Sequence, residues 1–177
     1  MKCKLIAVVS KDGFIARYSG DIPSDWTSKE EQKYFIRDIS NCEWSFMGRK
    51  THELSYNKKR KKIIFSSSIK YYKYISENHI FVNPDNLSFN KIINLIKPVS
   101  TICILGGTRV HDYFYKKELI DELIITIEPI FFKSGIPLFS NLNWNNFPDE
   151  FIQKGFNYKN KKNIINEKGT TYYYLSK

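Results

Sequence analysis

Short apolar runs alternate with amphipathic segments along most of the chain. The apolar runs are rich in branched residues and predict buried strands. Two intervening segments begin with Ser28 and Ser88, residues that cap helices, and then place apolar side chains on one helical face. Strands alternating with helices predict an α/β fold, with a mostly parallel central sheet and helices on both faces. The predicted strands are 4–9, 43–47, 61–65, 80–82, 101–105 and 122–128.

The carboxyl-terminal part departs from this alternation. The segments 151–158 and 170–175 flank the turn-prone residues 166–169, which predicts an antiparallel hairpin at the edge of the sheet. Near the other end, the polar segment 16–26 has no period and predicts a surface loop long enough to be functional. A length of 177 residues predicts one domain over 1–177.

The chain is strongly basic, with 28 Lys and Arg against 18 Asp and Glu and a formal net charge of +10. Such a balance attracts anions, including nucleic acid, acidic lipid and phosphorylated small molecules. A basic nucleic-acid-binding module is therefore a competing hypothesis, and it predicts binding that weakens steeply with salt. The lysines are spread throughout the sequence, however, and the aromatic residues lie mostly in strand patterns. We therefore expect neither a nucleic-acid partner nor a membrane partner.

Three cysteines, Cys3, Cys42 and Cys103, are far apart in the sequence. They show neither a disulfide framework nor the ligand spacing of a zinc site, so we expect reduced thiols and no metal. The apolar run at 5–9 is too short for the core of a signal peptide, and no apolar stretch is long enough to span a bilayer. These features predict a cytoplasmic protein.

Glycines, cations and hydroxyls follow several of the predicted strands. Gly106 and Gly107 separate a strand from a helix, where bare backbone lets a phosphate approach the N–H groups of the helix. The alternative is a tight turn without a ligand. The other strand ends carry Gly48, Arg49, Lys50, Thr51, Ser66 and Ser67, with Arg109 beside the glycines. Because parallel strands end at one edge of a sheet, these residues predict an anion site there.

Several of these segments together resemble the dihydrofolate reductase superfamily, and the resemblance covers nearly the whole chain. Its most specific part is Met47-Gly-Arg-Lys-Thr51 followed by Leu105-Gly-Gly-Thr-Arg-Val110. Further matching blocks are 5–9, 13–15, Trp26, Glu31, Phe35 and 63–67, whereas 12–16, 119–123 and 134–139 are closer to the riboflavin-biosynthesis reductases of that superfamily. The resemblance implies a dihydrofolate reductase-like fold and NADPH as cofactor.

The resemblance also assigns the cofactor-binding residues. It implies that Arg49, Lys50 and Ser66 hold the 2′-phosphate of NADPH and that Val8 and Ile15 line the nicotinamide. A cis peptide is expected between the two glycines. The pyrophosphate would be bordered by Gly106, Gly107, Thr108 and Arg109, and Gly48, Thr51, Ser67 and Val110 complete the expected set.

On the substrate side the resemblance makes Glu31 the carboxylate that bonds the aminopyrimidine edge of a pterin, assisted by the hydroxyl of Thr126. A carboxyl in an apolar pocket is expected to have a raised pKa. Glu31 is also the third residue of a capping box after Ser28, which requires no substrate, and Glu30 is the alternative carboxylate. Further expected substrate residues are Trp26, Phe35 and Arg60, although Arg60 lies in a basic run.

The resemblance implies hydride transfer from NADPH to a bound heterocycle, without a metal or a covalent nucleophile. The leading substrate is 7,8-dihydrofolate, which would give tetrahydrofolate. The alternative is the ribosylamino-pyrimidine phosphate of riboflavin synthesis. A third possibility is a member that binds nucleotide without turnover. The protein is expected to act on a small molecule as a monomer or a homodimer.

Overall fold

The computed structural model describes residues 1–54, 57–98 and 100–177, and for Lys161 and Lys162 it describes the backbone only. The apolar runs form strands, and the amphipathic segments form helices. The strands are β1 (Lys2–Val9), β2 (Phe14–Ala16), β3 (Trp44–Gly48), β4 (Lys62–Phe65), β5 (Tyr72–Ser76), β6 (His79–Val82), β7 (Thr101–Gly106), β8 (Glu122–Ile127), β9 (Ile136–Pro137), β10 (Asn157–Ile164) and β11 (Thr171–Ser176). The helices are α1 (Lys29–Ser40), α2 (Arg49–Leu54), α3 (Phe89–Ile96), α4 (Thr108–Lys116) and α5 (Asp149–Gln153), with short 3-10 helices at Pro23–Asp25 and Trp144–Asn146.

A nine-stranded sheet has the order β10-β11-β8-β1-β7-β3-β4-β6-β5. The pairs from β8 through β6 are parallel, whereas β5 on one side and β11 with β10 on the other run antiparallel to their neighbours. A small second sheet pairs β2 with β9. The predicted fold class is therefore confirmed: a mostly parallel α/β sheet with an antiparallel carboxyl-terminal hairpin.

Helices cover both faces of the large sheet. Side chains that alternate along β1 separate the two layers: Leu5 and Val9 pack with α3 and α4, whereas Ile6 packs with α1. On the α1 face, His52 of α2 contacts the ring of Phe81 in β6. Each face of the parallel strands is thus buried, which is why their sequences are continuously apolar.

Two local expectations are wrong. The first strand of the hairpin was expected at 151–158, but Asp149–Gln153 is helical and β10 covers Asn157–Ile164. Phe151 is buried in this short helix, and a brief apolar run does not distinguish a helix from a strand by its period. Strand β5 was not predicted. All of its positions are exposed, so it lacks the run of buried apolar residues by which the other strands were recognised.

The expectation of unpaired thiols is also wrong. Cys42 and Cys103 form a disulfide, with their Cα atoms 5.7 Å apart and a sequence separation of 61 residues. Cys42 lies just before β3, and β7, which contains Cys103, is the neighbour of β3 in the sheet. Cys3 is buried and free. The pairing was hidden because it depends on strand order rather than on spacing in the sequence.

Within the described ranges no helix is long and apolar enough to cross a membrane. The same residues contain no cluster of His, Cys, Asp and Glu side chains that could hold a metal ion.

Candidate active site

The predicted cofactor residues of three chain segments meet at the carboxyl edge of the parallel strands. A Cβ atom added at Gly48 would lie 3.8 Å from Cγ2 of Val110 and 4.0 Å from the carbonyl oxygen of Gly106. A Cβ added at Gly107 would lie 3.8 Å from Cδ1 of Ile15. The ends of β3 and β7 and the start of α4 therefore lie close together, as the strand-end pattern predicts, and strand β2 lies beside them; this region is called the glycine cleft below.

The turn between β7 and α4 requires glycine at its first position. Gly106 has φ +107°, and a Cβ there would meet the ring of His111 at 3.0 Å. The peptide between Gly106 and Gly107 is cis, which confirms the expectation from the resemblance. Burial lowers the pKa of His111 to about 4, so its ring is neutral at neutral pH.

Helix α4 also holds the segment 137–140 against this turn. The hydroxyl of Thr108 donates to the carbonyl of Pro137, and Nδ1 of His111 lies 3.0 Å from the carbonyl of Leu138. The N–H of Ser140 donates to the Asp112 carboxylate at 3.0 Å. Residues 137–139, the end of the segment in which the sequence resembles the riboflavin-biosynthesis reductases, therefore lie beside the glycine turn.

Cations and hydroxyls surround the same edge. Arg49 is exposed at the start of α2, and its Nε lies 3.7 Å from the Glu53 carboxylate. Nζ of Lys50 donates to Oγ of Ser19 at 2.9 Å, which ties the predicted surface loop to α2. Ser66 follows β4, and its hydroxyl shares a 2.7 Å hydrogen bond with that of Ser68. Thr51 lies in the first turn of α2, and Ser67 and Arg109 are exposed.

Glu31, on the first turn of α1, is the central candidate on the substrate side. Its side chain is buried, with the residue only 4% exposed. The pKa of Glu31 is raised to about 7, first by burial and then by the charge of the nearby Glu128 carboxylate, while a hydrogen bond with the Thr27 side chain acts in the opposite direction. Glu31 therefore holds a proton in a large fraction of molecules at neutral pH, which is the property expected of a carboxyl that serves a protonation step.

The capping box at the start of α1 is only half formed. The hydroxyl of Ser28 accepts the N–H of Glu31 at 3.2 Å, as predicted. The N–H of Ser28, however, donates to Oε1 of Glu128 at 2.7 Å and not to the Glu31 carboxyl. The backbone of Glu31 thus takes part in the cap while its side chain does not.

Thr126 lies on the sheet face that α1 covers. It stands in register between Val8 of β1 and Tyr172 of β11. Phe35, one helical turn after Glu31, packs against the apolar cluster on this face. The structure therefore brings these predicted residues to one side of the sheet, and the roles of Thr126 and Phe35 stay predictions.

Trp26 and Arg60 lie at opposite ends of α1. The ring of Trp26 packs edge-on against Phe132 with centroids 5.0 Å apart, and its buried indole N–H has no hydrogen-bond partner in the described part of the chain. Arg60 donates to Oγ of Ser45 at 2.7 Å and to the carbonyl of Ile39 at 2.6 Å. Arg60 thus joins β3 to the end of α1, and its binding of a substrate anion stays a prediction.

The sequence interpretation missed Glu128 as part of this site. Glu128 follows β8 directly and is two residues beyond Thr126, a spacing that places two side chains on the same face of a strand. This two-residue spacing from Thr126 could have indicated Glu128 as a site residue. Its partner Thr170 could not be found in this way, because Thr170 reaches the site from the hairpin.

Comparisons with known proteins agree with this architecture. No protein-family model matches the sequence. The uncharacterized protein YwjB of Bacillus subtilis (strain 168) is 31% identical over 153 residues, which cover 80% of this chain and 84% of YwjB.

Two solved structures share the fold. A protein from Shewanella sp. PV-4, named as a candidate riboflavin biosynthesis protein, aligns with a TM-score of 0.72 and 20% identity over 99% of this chain and 98% of its own. Dihydrofolate reductase from Enterococcus faecalis, solved with NADP(H) and RAB-propyl, aligns with a TM-score of 0.67 and 18% identity over 99% and 95% of the two chains. The chain therefore belongs to the family of Bacillus subtilis YwjB and has a dihydrofolate reductase-like fold.

Proposed function

We propose that the protein is an NADPH-dependent reductase that transfers a hydride to a pterin-type heterocycle, with 7,8-dihydrofolate as the leading substrate. The observation that carries the proposal is Glu31, a buried carboxyl on α1 whose pKa is raised to about 7. A dihydrofolate reductase with the same fold has been solved with NADP(H), which supports the choice of cofactor.

Several features of the glycine cleft support NADPH as the cofactor. Gly48, Gly106 and Gly107 present backbone without side chains, and Ile15 provides an apolar wall beside them. Arg49 is exposed at the start of α2 and would hold the 2′-phosphate, with Lys50 and Ser66 as further ligands, and Arg109 would face the pyrophosphate. When bound, NADPH supplies the hydride.

Glu31 would act on the substrate. Its protonated carboxyl would donate a hydrogen bond to a ring nitrogen of the heterocycle. In the mechanism that the resemblance implies, the proton then reaches the ring through water, and Glu31 is left as a carboxylate. Burial beneath α1 keeps bulk water from this carboxyl, which strengthens the hydrogen bond that it makes. Trp26 and Phe35 would line the pocket, and Thr126 would orient the carboxyl.

A second substrate is the ribosylamino-pyrimidine phosphate of riboflavin synthesis. The specific observation in its favour is the segment 137–140, which is bonded to Thr108, His111 and Asp112 at the cleft. A neighbour with a TM-score of 0.72 is a candidate riboflavin biosynthesis protein. With this substrate, Arg60 would bind the ribose phosphate instead of a folate tail carboxylate.

Steady-state assays of both substrates with NADPH, followed by absorbance of the reduced nicotinamide, test the proposal. We expect the protein to turn over dihydrofolate and Glu31→Gln to reduce this turnover by at least about tenfold. Tenfold is a lower bound, because a general acid usually contributes more than this to the rate. Glu30→Gln, at an exposed position on the same helical turn, is the matched control and should keep its activity. Turnover of only the pyrimidine phosphate would select the second substrate. Absence of NADPH binding at millimolar concentration would refute both.

The remaining expectations about the protein also stay predictions. These are a location in the cytoplasm, a monomeric or homodimeric state, and the absence of a nucleic-acid partner. The Cys42–Cys103 disulfide bears on the first of them, since disulfides are uncommon in a reducing cytosol.

A further inference from the structure

Two buried carboxylates lie at the start of α1, and only one of them is explained by the proposed reaction. Glu31 belongs to α1, whereas Glu128 follows β8 and is 3% exposed. A buried carboxylate is unfavourable unless hydrogen bonds compensate its loss of water. The hydrogen bonds of Glu128 therefore indicate its role.

Both oxygens of Glu128 accept hydrogen bonds. Oε1 accepts the N–H of Ser28 at 2.7 Å, and Oε2 accepts the hydroxyl of Thr170 at 2.6 Å. The Thr170 oxygen in turn accepts from Nδ2 of Asn166 at 2.8 Å, so this hydroxyl is held between Asn166 and Glu128. A carboxyl group that only accepts has the bonding pattern of an anion. The N–H of Glu128 also donates to the carbonyl of Val9 at 2.8 Å, which fixes this anion to the sheet.

We propose that Glu128 is a positioning residue for Glu31: it accepts the backbone N–H at the start of α1, so the Glu31 carboxyl is not used in the helix cap and can face a bound heterocycle. In an ordinary capping box the third helical residue accepts that N–H and is held against its own helix. Here the sheet supplies the acceptor from 100 residues away, so the helix is capped without Glu31.

The same arrangement places a fixed negative charge beside Glu31. Burial raises the pKa of Glu31, and the negative charge of Glu128, which follows β8, raises it as well. Asp38 on α1 has a smaller effect in the same direction. Asp38 is compensated by Arg37 at 2.8 Å and by the Tyr172 hydroxyl of β11 at 2.9 Å. From the loop before α1, the Thr27 hydroxyl favours the ionised form. Glu128 is thus the principal charged neighbour that keeps a proton on Glu31.

The first test is a carboxyl titration by NMR of the ligand-free protein labelled with ¹³C at the glutamate carboxyls. The Glu31 signal is identified by its loss in Glu31→Gln. In Glu128→Gln, which keeps an acceptor for Ser28 and removes the charge, we expect the midpoint of Glu31 to fall by about one pH unit. The matched control Thr170→Val removes a hydrogen bond of Glu128 but keeps its charge, and its Glu31 midpoint should not fall. An unchanged midpoint in Glu128→Gln would overturn the proposal.

A second measurement does not depend on the folding of Glu128 variants. The amide proton resonance of Ser28 reports its acceptor. If Glu128 is the acceptor, the resonance stays at its hydrogen-bonded position in Glu31→Gln. A large upfield shift in that variant would show that Glu31 accepts the N–H, and would refute the proposal.

The catalytic consequence rests on the proposed function, but the two titrations do not. In the reductase assay, Glu128→Gln should shift the Glu31 step in the pH dependence of kcat/KM, which reports the free enzyme, to lower pH by the same amount as the NMR midpoint. If the midpoint moves in a protein without reductase activity, the proposed function fails and the positioning role stands. If the protein is an active reductase and the midpoint does not move, the positioning role alone fails.

Discussion

Replacing Glu31 by glutamine should make the folded protein more stable, and the gain should grow with pH. The pKa of Glu31 is raised from 4.5 to about 7 by burial and by the charge of Glu128. Below pH 4.5 the folded and unfolded states both hold the proton, and the ionisation penalty is absent. As the pH rises toward 7 the unfolded state ionises first, so the folded state loses stability until about pH 7, where the penalty is complete.

The magnitude follows from the same shift. A rise in the pKa of Glu31 from 4.5 in the unfolded state to about 7 in the folded state corresponds to about 3 kcal/mol of folding free energy. Because the penalty is already partly present at pH 5, the stabilisation by Glu31→Gln should be about 2–3 kcal/mol larger at about pH 8.5 than at about pH 5. For a chain of this size that corresponds to a change in Tm of roughly 5–10 °C.

Urea unfolding of the wild-type protein and the variant at the two pH values measures this quantity, with the disulfide intact in every sample. Glu30→Gln is the matched control, because Glu30 is exposed one position earlier on the same helix. Its effect should stay within about 0.5 kcal/mol at both pH values. A Glu31→Gln stabilisation that is equal at both pH values would refute the reasoning that Glu31 is buried with a raised pKa. A functional carboxyl that destabilises its own fold is a common compromise at active sites.

Three further predictions concern the cleft and the disulfide. Gly106→Ala should destabilise the protein in urea unfolding by at least about 1 kcal/mol more than Gly20→Ala. Both glycines have positive φ, but only at Gly106 would a Cβ meet a ring, that of His111. Equal losses of stability in the two variants would contradict this contact. Arg49→Ala should weaken NADPH binding about tenfold in a fluorescence titration and leave NADH binding unchanged, since only NADPH has the 2′-phosphate; an equal loss for both would place that phosphate elsewhere. Thiol titration in denaturant should find one free thiol, and reduction of Cys42–Cys103 should lower the unfolding free energy by up to about 4 kcal/mol; three thiols before reduction would contradict the disulfide.

Much of the fold was readable in the sequence because the signals are local. The continuous apolar runs of the central strands report burial on both faces, and Ser28 and Ser88 mark helix starts through bonds to residues three positions later. The strand, glycine pair and helix around Gly106 form a local unit as well. The resemblance added the cis peptide at this turn, which the residue pattern alone did not contain.

The candidate site was predictable only in part, because several of its contacts join distant segments. Lys50 reaches Ser19 and His111 reaches the carbonyl of Leu138, and these contacts exist because β-strands far apart in the sequence end at one edge. The disulfide is hidden for the same reason, since Cys103 lies in β7 and Cys42 just before its neighbour β3.

The residues at the start of α1 show most clearly what the sequence determines and what only the tertiary structure decides. The sequence by itself determined that a helix starts after Ser28 and that Glu31 lies in its first turn. It did not determine which carboxylate accepts the Ser28 N–H. The local pattern is the same whether the acceptor is Glu31 or an acidic side chain from a distant part of the chain. The tertiary structure decided this by bringing Glu128 to 2.7 Å from that nitrogen. A hydrogen bond depends on distance in space, and the order of the strands, not the order of the residues, sets that distance.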